Sequence, residues 1–305
     1  MKECSAVSFS SSANLGPGFD TLAIAHTAFS DLVNISPSSG DRRIELKCEG
    51  LPEDTTSNTA GRAVEAMYKE LGLRENVRIT IKKGVPKGLG IGSSGSSAAA
   101  AVTALNSSLS LELSKDELSR FAMIGEAASS GTPHADNVSA SIYGGLVFVS
   151  STAPMKVHKM KIDSNLGILL IIPNIQREHK TRIAREVVPK VVTMSDHIQE
   201  SRRLSLLLHG LQSGDRSIIT ESMNDDLVEK SRMHLFPFYP EIKRKSLENG
   251  AVGVAISGAG PSIIEFTDQS TDTGKIISSV SAIFDALGTR VMFSRCQPAG
   301  GAYVT

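Results

Sequence analysis

The segment Gly88-Leu89-Gly90-Ile91-Gly92-Ser93-Ser94-Gly95-Ser96-Ser97 holds four glycines and four serines in ten residues and runs into Ala98–Ala101. That is more than a turn before a capped helix needs. Glycines this close together let backbone N–H groups approach an anion with no Cβ in the way. A helix starting there adds unpaired N–H donors and the positive end of its dipole. Serine hydroxyls can donate to phosphate oxygens or ligate a phosphate-bound Mg2+. The segment reads as a phosphate-binding loop. Gly90–Gly95 matches the GxGxxG of dinucleotide-binding folds, but that loop follows directly on a fully buried parallel strand. Here Val77–Lys82 alternates apolar and polar residues, as a half-buried strand does, and Lys83–Leu89 intervenes. Neither a GxxxxGK[ST] loop nor a protein-kinase HRD or DFG motif occurs.

The rest of the chain bounds what this loop can serve. A length of 305 residues suggests about two domains. Lys+Arg and Asp+Glu are both 32, a net charge of zero, which argues against a nucleic acid partner. A composition with 40% hydrophobic and 21% charged residues excludes disorder over most of the chain. No apolar run approaches the length of about 20 residues that a membrane helix needs, so no membrane partner is expected. The N-terminus lacks an apolar signal core. Cys4, Cys48 and Cys296 are too few and too scattered for a disulfide framework or zinc site, so a cytoplasmic location is expected.

Periodicity and caps give an outline. Ser5–Ser12 reads as a strand entering a loop, Asn14–Asp20. Ser57–Leu71 has helical spacing and a stop at Gly72, and Ser94–Leu105 is a closely packed helix. Ser114 and Glu117 form a capping box for a helix to about Ala128. Gly131–Asn137 is a polar loop, Gly145–Ser150 a strand and Thr152–Pro154 a linker. The second half mixes strands, at 157–162, 167–172, 251–256, 262–266 and 290–293, with helices over 182–230, 240–248 and 275–287. This order predicts an α+β protein of two domains, 1–154 and 155–305.

Three further loops are rich in polar residues. Ser11–Asp20 places Asn14 and Asp20 beside Gly16 and Gly18; an amide and a carboxylate together suit a ligand with hydroxyl and ammonium groups. Gly125–Asn137 puts Glu126 near a helix C-terminus, where the dipole disfavours a carboxylate and a hard cation would explain it. His134, Asp136 and Asn137 follow. Ser257-Gly258-Ala259-Gly260-Pro261-Ser262 joins two strands with a backbone suited to lying beside a ligand.

Together these loops resemble the GHMP kinase superfamily, which takes in galactokinase, homoserine kinase, mevalonate kinase and phosphomevalonate kinase. Ser12–Asp20 is similar to its first motif, in the Asn-Leu-Gly-x-Gly-Phe-Asp form of the homoserine kinase branch. Pro86–Ser97 resembles the phosphate loop, Ser257–Ser262 the third motif, and Thr181–Glu186 a T-x-x-A-R-E segment. Ile91 and Gly95 stand where Leu and Ala are common. The resemblance implies a ribosomal protein S5 domain 2-like N-terminal domain and a ferredoxin-like C-terminal domain.

The implied activity is ATP-dependent phosphorylation of L-homoserine to O-phospho-L-homoserine, in threonine biosynthesis. Another small-alcohol kinase of the mevalonate or shikimate type, or a catalytically silent nucleotide sensor, stands as the alternative. ATP would lie on Asn58 and on Pro86, Lys87, Gly88, Leu89, Gly90, Ile91, Gly92, Ser93, Ser94, Gly95 and Ser96. Mg2+ would bind Glu126 and a serine, Ser94 in preference to Ser93. The amino-acid site would use Asn14, Asp20, His134, Asp136, Asn137, Thr181, Arg185 and Arg232. Asp20 would face the ammonium, and Arg185 and Arg232 the carboxylate. Asn137, where mevalonate kinases have a catalytic Asp, would orient the hydroxyl, with His134 as the alternative base. A homodimer is the oligomeric expectation.

Overall fold

The computed structural model describes residues 1–39, 43–130, 133–176 and 180–305. In chain order the elements are β1 (Cys4–Asn14), β2 (Gly18–Pro37), β3 (Ile44–Cys48), α1 (Thr59–Leu71), β4 (Val77–Lys82), α2 (Ser93–Leu109), α3 (Lys115–Ser130), α4 (Asp136–Tyr143), β5 (Leu146–Thr152) and β6 (Met155–Met160). There follow β7 (Gly167–Pro173), α5 (Lys180–Glu186), α6 (Met194–Ser213), α7 (Arg216–Ser222), α8 (Val228–Arg232), α9 (Tyr239–Glu248), β8 (Gly253–Ile256), β9 (Ile263–Thr267), α10 (Thr273–Ala286), β10 (Val291–Cys296) and β11 (Tyr303–Val304).

Among the described residues the strands form two sheets, as the α+β expectation requires. The first runs β11-β1-β2-β4-β3, with β5 also paired to β2 and β6 to β5. Its pairs are antiparallel except β3 with β4. The second is antiparallel in the order β10-β7-β9-β8. Thr152–Pro154 is therefore a hairpin turn between β5 and β6, where a linker was expected. The expected division at 154/155 cuts that hairpin. The partition between sheets falls after Met160, and the chain returns to the first sheet through β11.

The helix α2 explains why the site is rigid. Ala98–Ala101 and Val102 are all fully buried, so the helix has no solvent face along this stretch. Alanine lets neighbours approach from every side, and α2 packs with β1, β2, α1, α3 and α4. Leu105, Phe121, Met67 and Ile79 fill the remaining space. The capping box forms as expected: Ser114 N–H donates to Glu117 at 2.8 Å, and Glu117 N–H to Ser114 Oγ at 3.3 Å. Asp136 and Asn137, expected in a loop, begin α4 instead. Gly131 and Thr132 of that expected loop lie outside the described residues. Among the described residues no helix is long and apolar enough to cross a membrane.

The second domain buries one carboxyl in its own core. Glu265, on β9, is fully buried and accepts a hydrogen bond from Ser246 on α9. Burial pushes its pKa up to about 8, outweighing that hydrogen bond. In the unfolded chain a Glu titrates near ~4.3, so folding takes up a proton between that value and about 8. This group's destabilising effect is absent at low pH and grows as pH rises through that window. Glu265→Gln should therefore lose less stability than the parent between about pH 6 and about pH 8.5, read as urea midpoints. An equal or larger loss in the variant would contradict the assignment.

Candidate active site

A cleft of about 560 Å3 lies between the two sheets' domains. The phosphate loop forms one wall, with the start of α2 at its end. Lys87, Gly88, Gly90, Gly92, Ser93 and Ser94 line the cleft. Leu89 and Ile91 turn into the core, where they are 7% and 1% exposed, and so anchor the loop. Gly95 and Ser96 are also buried, and Ser96 Oγ donates to Ser8 O on β1 at 3.0 Å. Pro86 is half-buried and does not line the cleft. The N–H groups at this helix end lack intrahelical partners.

The two candidate metal serines separate in space. Ser93 Oγ donates to Val85 O at 2.9 Å. Ser94 instead hydrogen-bonds the Glu126 carboxylate. Glu126 is buried near the end of α3, and burial pushes its pKa up to about 7 against the Ser94 contact. A hydroxyl and a buried carboxylate beside a phosphate-binding helix end are hard oxygen donors, which fits Mg2+ sharing its shell with phosphates and water.

Asn58 plays a structural part beside the expected adenine position. It is the N-cap of α1, accepting from Ala60 and Gly61 N–H at 3.0 and 3.2 Å, and its amide donates to Pro52 O at 3.0 Å. Such a cap is worth about 1 kcal/mol. It fixes a segment whose Leu51, Pro52 and Ser57 line the same end of the cleft.

The opposite end gathers the expected acceptor residues. Asn14, Leu15 and Asp20 all have positive φ, at 76, 53 and 58°, a conformation that few non-glycine residues adopt and that clusters at functional sites. Asn14 donates to Gly258 O at 3.0 Å and accepts from Asp20 N–H at 3.2 Å, so it shapes the loop and ties it to the second domain. Asp20 and Arg185, expected to face the acceptor's ammonium and carboxylate respectively, are paired with each other at 2.6 Å. Arg232 is 5% exposed; it donates to Ala184 O at 2.8 Å and Gly258 O at 3.2 Å, and has no ion pair among the described residues. Burial pushes its pKa down to about 10, with Asp20 and Asp225 opposing, so it stays charged at neutral pH. Both guanidiniums lie about 5 Å from the Phe19 ring. Thr181 lines the cleft beside them.

Asp136, His134 and Asn137 sit between the two ends. Burial, then Asp20, pushes the Asp136 carboxyl up to about 6. Burial lowers the His134 pKa, with Asp20 opposing and Arg185 and Arg232 adding to the shift. Asn137 Oδ1 accepts from Ser11 Oγ at 2.8 Å, which leaves its NH2 group as the donor toward the cleft.

Two functional residues escaped the sequence reading. Lys83 lines the cleft and is ion-paired with the buried Asp31, and its ammonium donates to Ser93 O and Ser97 Oγ, both at 2.9 Å. Asp31 in turn accepts from the Gly84 and Val85 N–H groups, both at 2.9 Å. The pair fastens the loop's start to the first turn of α2. The Lys82-Lys83 pair at a strand end was its sequence signal, but its partner lies 52 residues away.

This is the cleft of a GHMP-type kinase. The family model for the GHMP kinase N-terminal domain matches residues 58–145, and the model for the C-terminal domain matches 207–286. The chain is 47% identical to homoserine kinase of Thermoplasma acidophilum over 96% of its length and 94% of that protein. It is 45% identical to homoserine kinase of Saccharolobus solfataricus over 98% and 97% of the two chains. A solved homoserine kinase from Cytophaga hutchinsonii superposes with a TM-score of 0.90 at 30% identity, covering 100% of this chain and 98% of that one. The chain belongs to the homoserine kinase family of GHMP kinases and is an ATP-dependent kinase acting on an alcohol. Mevalonate diphosphate decarboxylase of Staphylococcus aureus, at 15% identity and a TM-score of 0.71, shares the fold.

The tightest point of the site is Gly92. A Cβ there would lie 2.2 Å from Ser11 Oγ and 3.0 Å from Asn137 Oδ1, at a φ of +69°. Gly92→Ala should pry Ser11 from Asn137 and lower turnover by about 100-fold, the cost of misplacing reacting groups by an ångström. Steady-state assays on folded variant test this; unchanged turnover would show that the contact has no part in the reaction.

Proposed function

We propose that the protein transfers the γ-phosphoryl group of ATP to the side-chain hydroxyl of L-homoserine, giving O-phospho-L-homoserine and ADP, a step of threonine biosynthesis. The observation that carries this reading is the buried guanidinium of Arg232, which lines the cleft with the helix-end phosphate loop and has no ion pair among the described residues. A desolvated cation hydrogen-bonded to backbone carbonyls and stacked near the Phe19 ring is a ready site for a carboxylate, which its planar fork binds bidentately. Asp20 supplies the complementary anion for an α-ammonium. Mevalonate has no ammonium, so a mevalonate-type acceptor would leave Asp20 with Arg185 alone and no contact to the acceptor.

Phosphoryl transfer depends on in-line positioning and charge neutralisation more than on covalent help. The N–H groups at the start of α2 receive the phosphates. Ser94 and Glu126 hold Mg2+, which when bound neutralises phosphate charge. Arg232 takes the acceptor carboxylate, and Asp20 takes the ammonium while keeping or exchanging its contact with Arg185. With the amino-acid end fixed there, the hydroxyl reaches toward the γ-phosphate beside Asn137. The Asn137 NH2 donates to the hydroxyl oxygen and orients it; an amide cannot take its proton. The hydroxyl oxygen bonds to phosphorus, the bond to the β,γ-bridging oxygen breaks, and the proton passes to a transferred phosphate oxygen. His134, kept neutral by burial, is the alternative acceptor of that proton.

ADP release should depend on L-homoserine and be absent with mevalonate, shikimate or galactose; turnover with one of those instead would overturn the assignment. Arg232→Lys keeps the charge but loses the fork. It should raise the homoserine KM by about 10- to 100-fold, as a charge-assisted hydrogen bond is worth, with the ATP KM unchanged. An ATP KM raised equally would place Arg232 on the nucleotide.

A further inference from the structure

A chain of buried polar groups beneath the phosphate loop has no part in the mechanism above. It starts on the first sheet. Phe29 N–H donates to Ser10 Oγ at 3.2 Å, and Ser10 Oγ lies 3.0 Å from His26 Nδ1. Across the ring, Nε2 is 3.1 Å from Ser12 Oγ. Ser12 Oγ is 2.8 Å from Ser257 Oγ of the second domain, and Ser257 Oγ is 2.6 Å from Gly90 O in the phosphate loop. Ser10, Ser12, His26 and Ser257 are all fully buried, out of reach of bulk solvent.

Proton counting leaves two directions for this chain, and the Ser257–Gly90 contact selects one. A carbonyl only accepts, and a serine has one proton to give. If the Ser257 proton goes to Gly90 O, the shortest of these contacts, Ser12 must donate to Ser257. Ser12 then needs a donor, and His26 Nε2 is the group beside it. A ring protonated on Nε2 carries a lone pair on Nδ1, which takes the Ser10 proton, and Ser10 accepts from Phe29. The carbonyls of His26 and Phe29 also lie 3.2 and 3.1 Å from Ser10 Oγ, but Ser10 is the donor within reach of Nδ1. With the proton on Nδ1 the order reverses: Ser12 gives its proton to Nε2, Ser257 turns to Ser12, and Gly90 O is released. Hydroxyls alone would run either way; the ring, with one N–H and one lone pair, sets the direction.

We propose that His26, neutral and protonated on Nε2, is a positioning residue that locks the nucleotide-phosphate loop across the domain interface through Ser12 and Ser257. The proposal rests on reading Gly88–Ser97 as the phosphate loop. The loop has no slack at this contact. A Cβ on Gly90, whose φ is +81°, would lie 2.5 Å from Gly260 O and 2.6 Å from Ser257 O. The Gly90–Ile91 peptide is planar and trans, so holding the Gly90 C=O turns the Ile91 N–H the opposite way. Ser11 N–H holds the Ile91 C=O at 3.2 Å, which fixes the next peptide too. A loop preset in this way binds phosphates without first being ordered. Burial also pushes the His26 pKa down to about 3, which keeps the ring neutral.

The tautomer is directly measurable. In the full-length protein with 15N-labelled histidine, ring-nitrogen spectra should show His26, identified by its loss in His26→Gln, protonated on Nε2 and unchanged between about pH 5 and about pH 9, where an exposed histidine titrates. A proton on Nδ1, or titration in that range, would overturn the proposal. Ser12→Ala and Ser257→Ala should weaken ATP binding by about 3- to 10-fold, the worth of a hydrogen bond, and leave the homoserine KM unchanged. His26→Gln keeps an N–H donor toward Ser12, so it should bind ATP more tightly than His26→Leu at equal thermal stability. Equal losses in the two, or a homoserine KM that rises with the ATP constant, would contradict it. Absence of ATP binding by the parent protein would overturn the phosphate-loop reading itself; normal ATP binding with an Nδ1–H ring would overturn this proposal alone.

Discussion

The backbone of the phosphate loop touches the backbone of the second domain. Gly90 lies against Ser257 and Gly260, Ser262 N–H donates to Leu89 O at 3.2 Å, and Gly258 N–H donates to Ala13 O at 3.0 Å. Three segments far apart in sequence thus meet backbone to backbone. Glycine is required at position 90, where a Cβ would lie 2.5 Å from Gly260 O and 2.6 Å from Ser257 O. The cleft takes its shape from this contact. It sets the distance from the start of α2 to Arg232, which hangs from Gly258 O, and to Asp20, whose N–H is held by Asn14. Moving one loop would move all three.

Charged groups in the cleft stand where burial disfavours their ionised forms. Glu126 and Asp136 are buried carboxyls pushed up to about 7 and about 6, and Arg232 is a buried guanidinium pushed down to about 10. Each shift has burial as its first cause, and each measures an environment that disfavours the charged form. Such groups are costly in an empty cleft and become favourable once opposite charges arrive. A cation beside Glu126 and a carboxylate on Arg232 would relieve that cost. The arrangement therefore favours a metal ion at the phosphate end of the cleft and an acceptor carboxylate at the other.

Much of this was legible in the sequence because the informative residues are local. The phosphate loop, the helix stop at Gly72, the capping box at Ser114 and the strand Val77–Lys82 are each written in contiguous residues. What was missed depends on distance. The twenty-residue strand β2 carries the partners of β1, β4 and β5, yet its mixed burial follows no single period. Asp31 lies on that strand and pairs with Lys83, and His26 lies on it between two serines; neither has a sequence neighbour that reveals its partner. Asp136 and Asn137 read as loop because their polar side chains mask a helix start buried under the cleft. The Asp20–Arg185 pair is not legible in the sequence because its members lie 165 residues apart.

The account makes the acceptor's two charges the basis of recognition, and that is where it is most exposed. The direct measurement is kcat/KM for L-homoserine beside 4-hydroxybutanoate, which lacks the ammonium, and 3-aminopropan-1-ol, which lacks the carboxylate. Both analogues keep the same hydroxyl at the same reach. Each should fall, by about 10- to 100-fold where the carboxylate is lost, since each forfeits a charge-assisted contact; the loss of the ammonium should cost less because Asp20 keeps its ion pair with Arg185, whereas Arg232 is buried. Turnover of either analogue as efficient as that of L-homoserine would contradict the assignment of Asp20 and Arg232 to the acceptor.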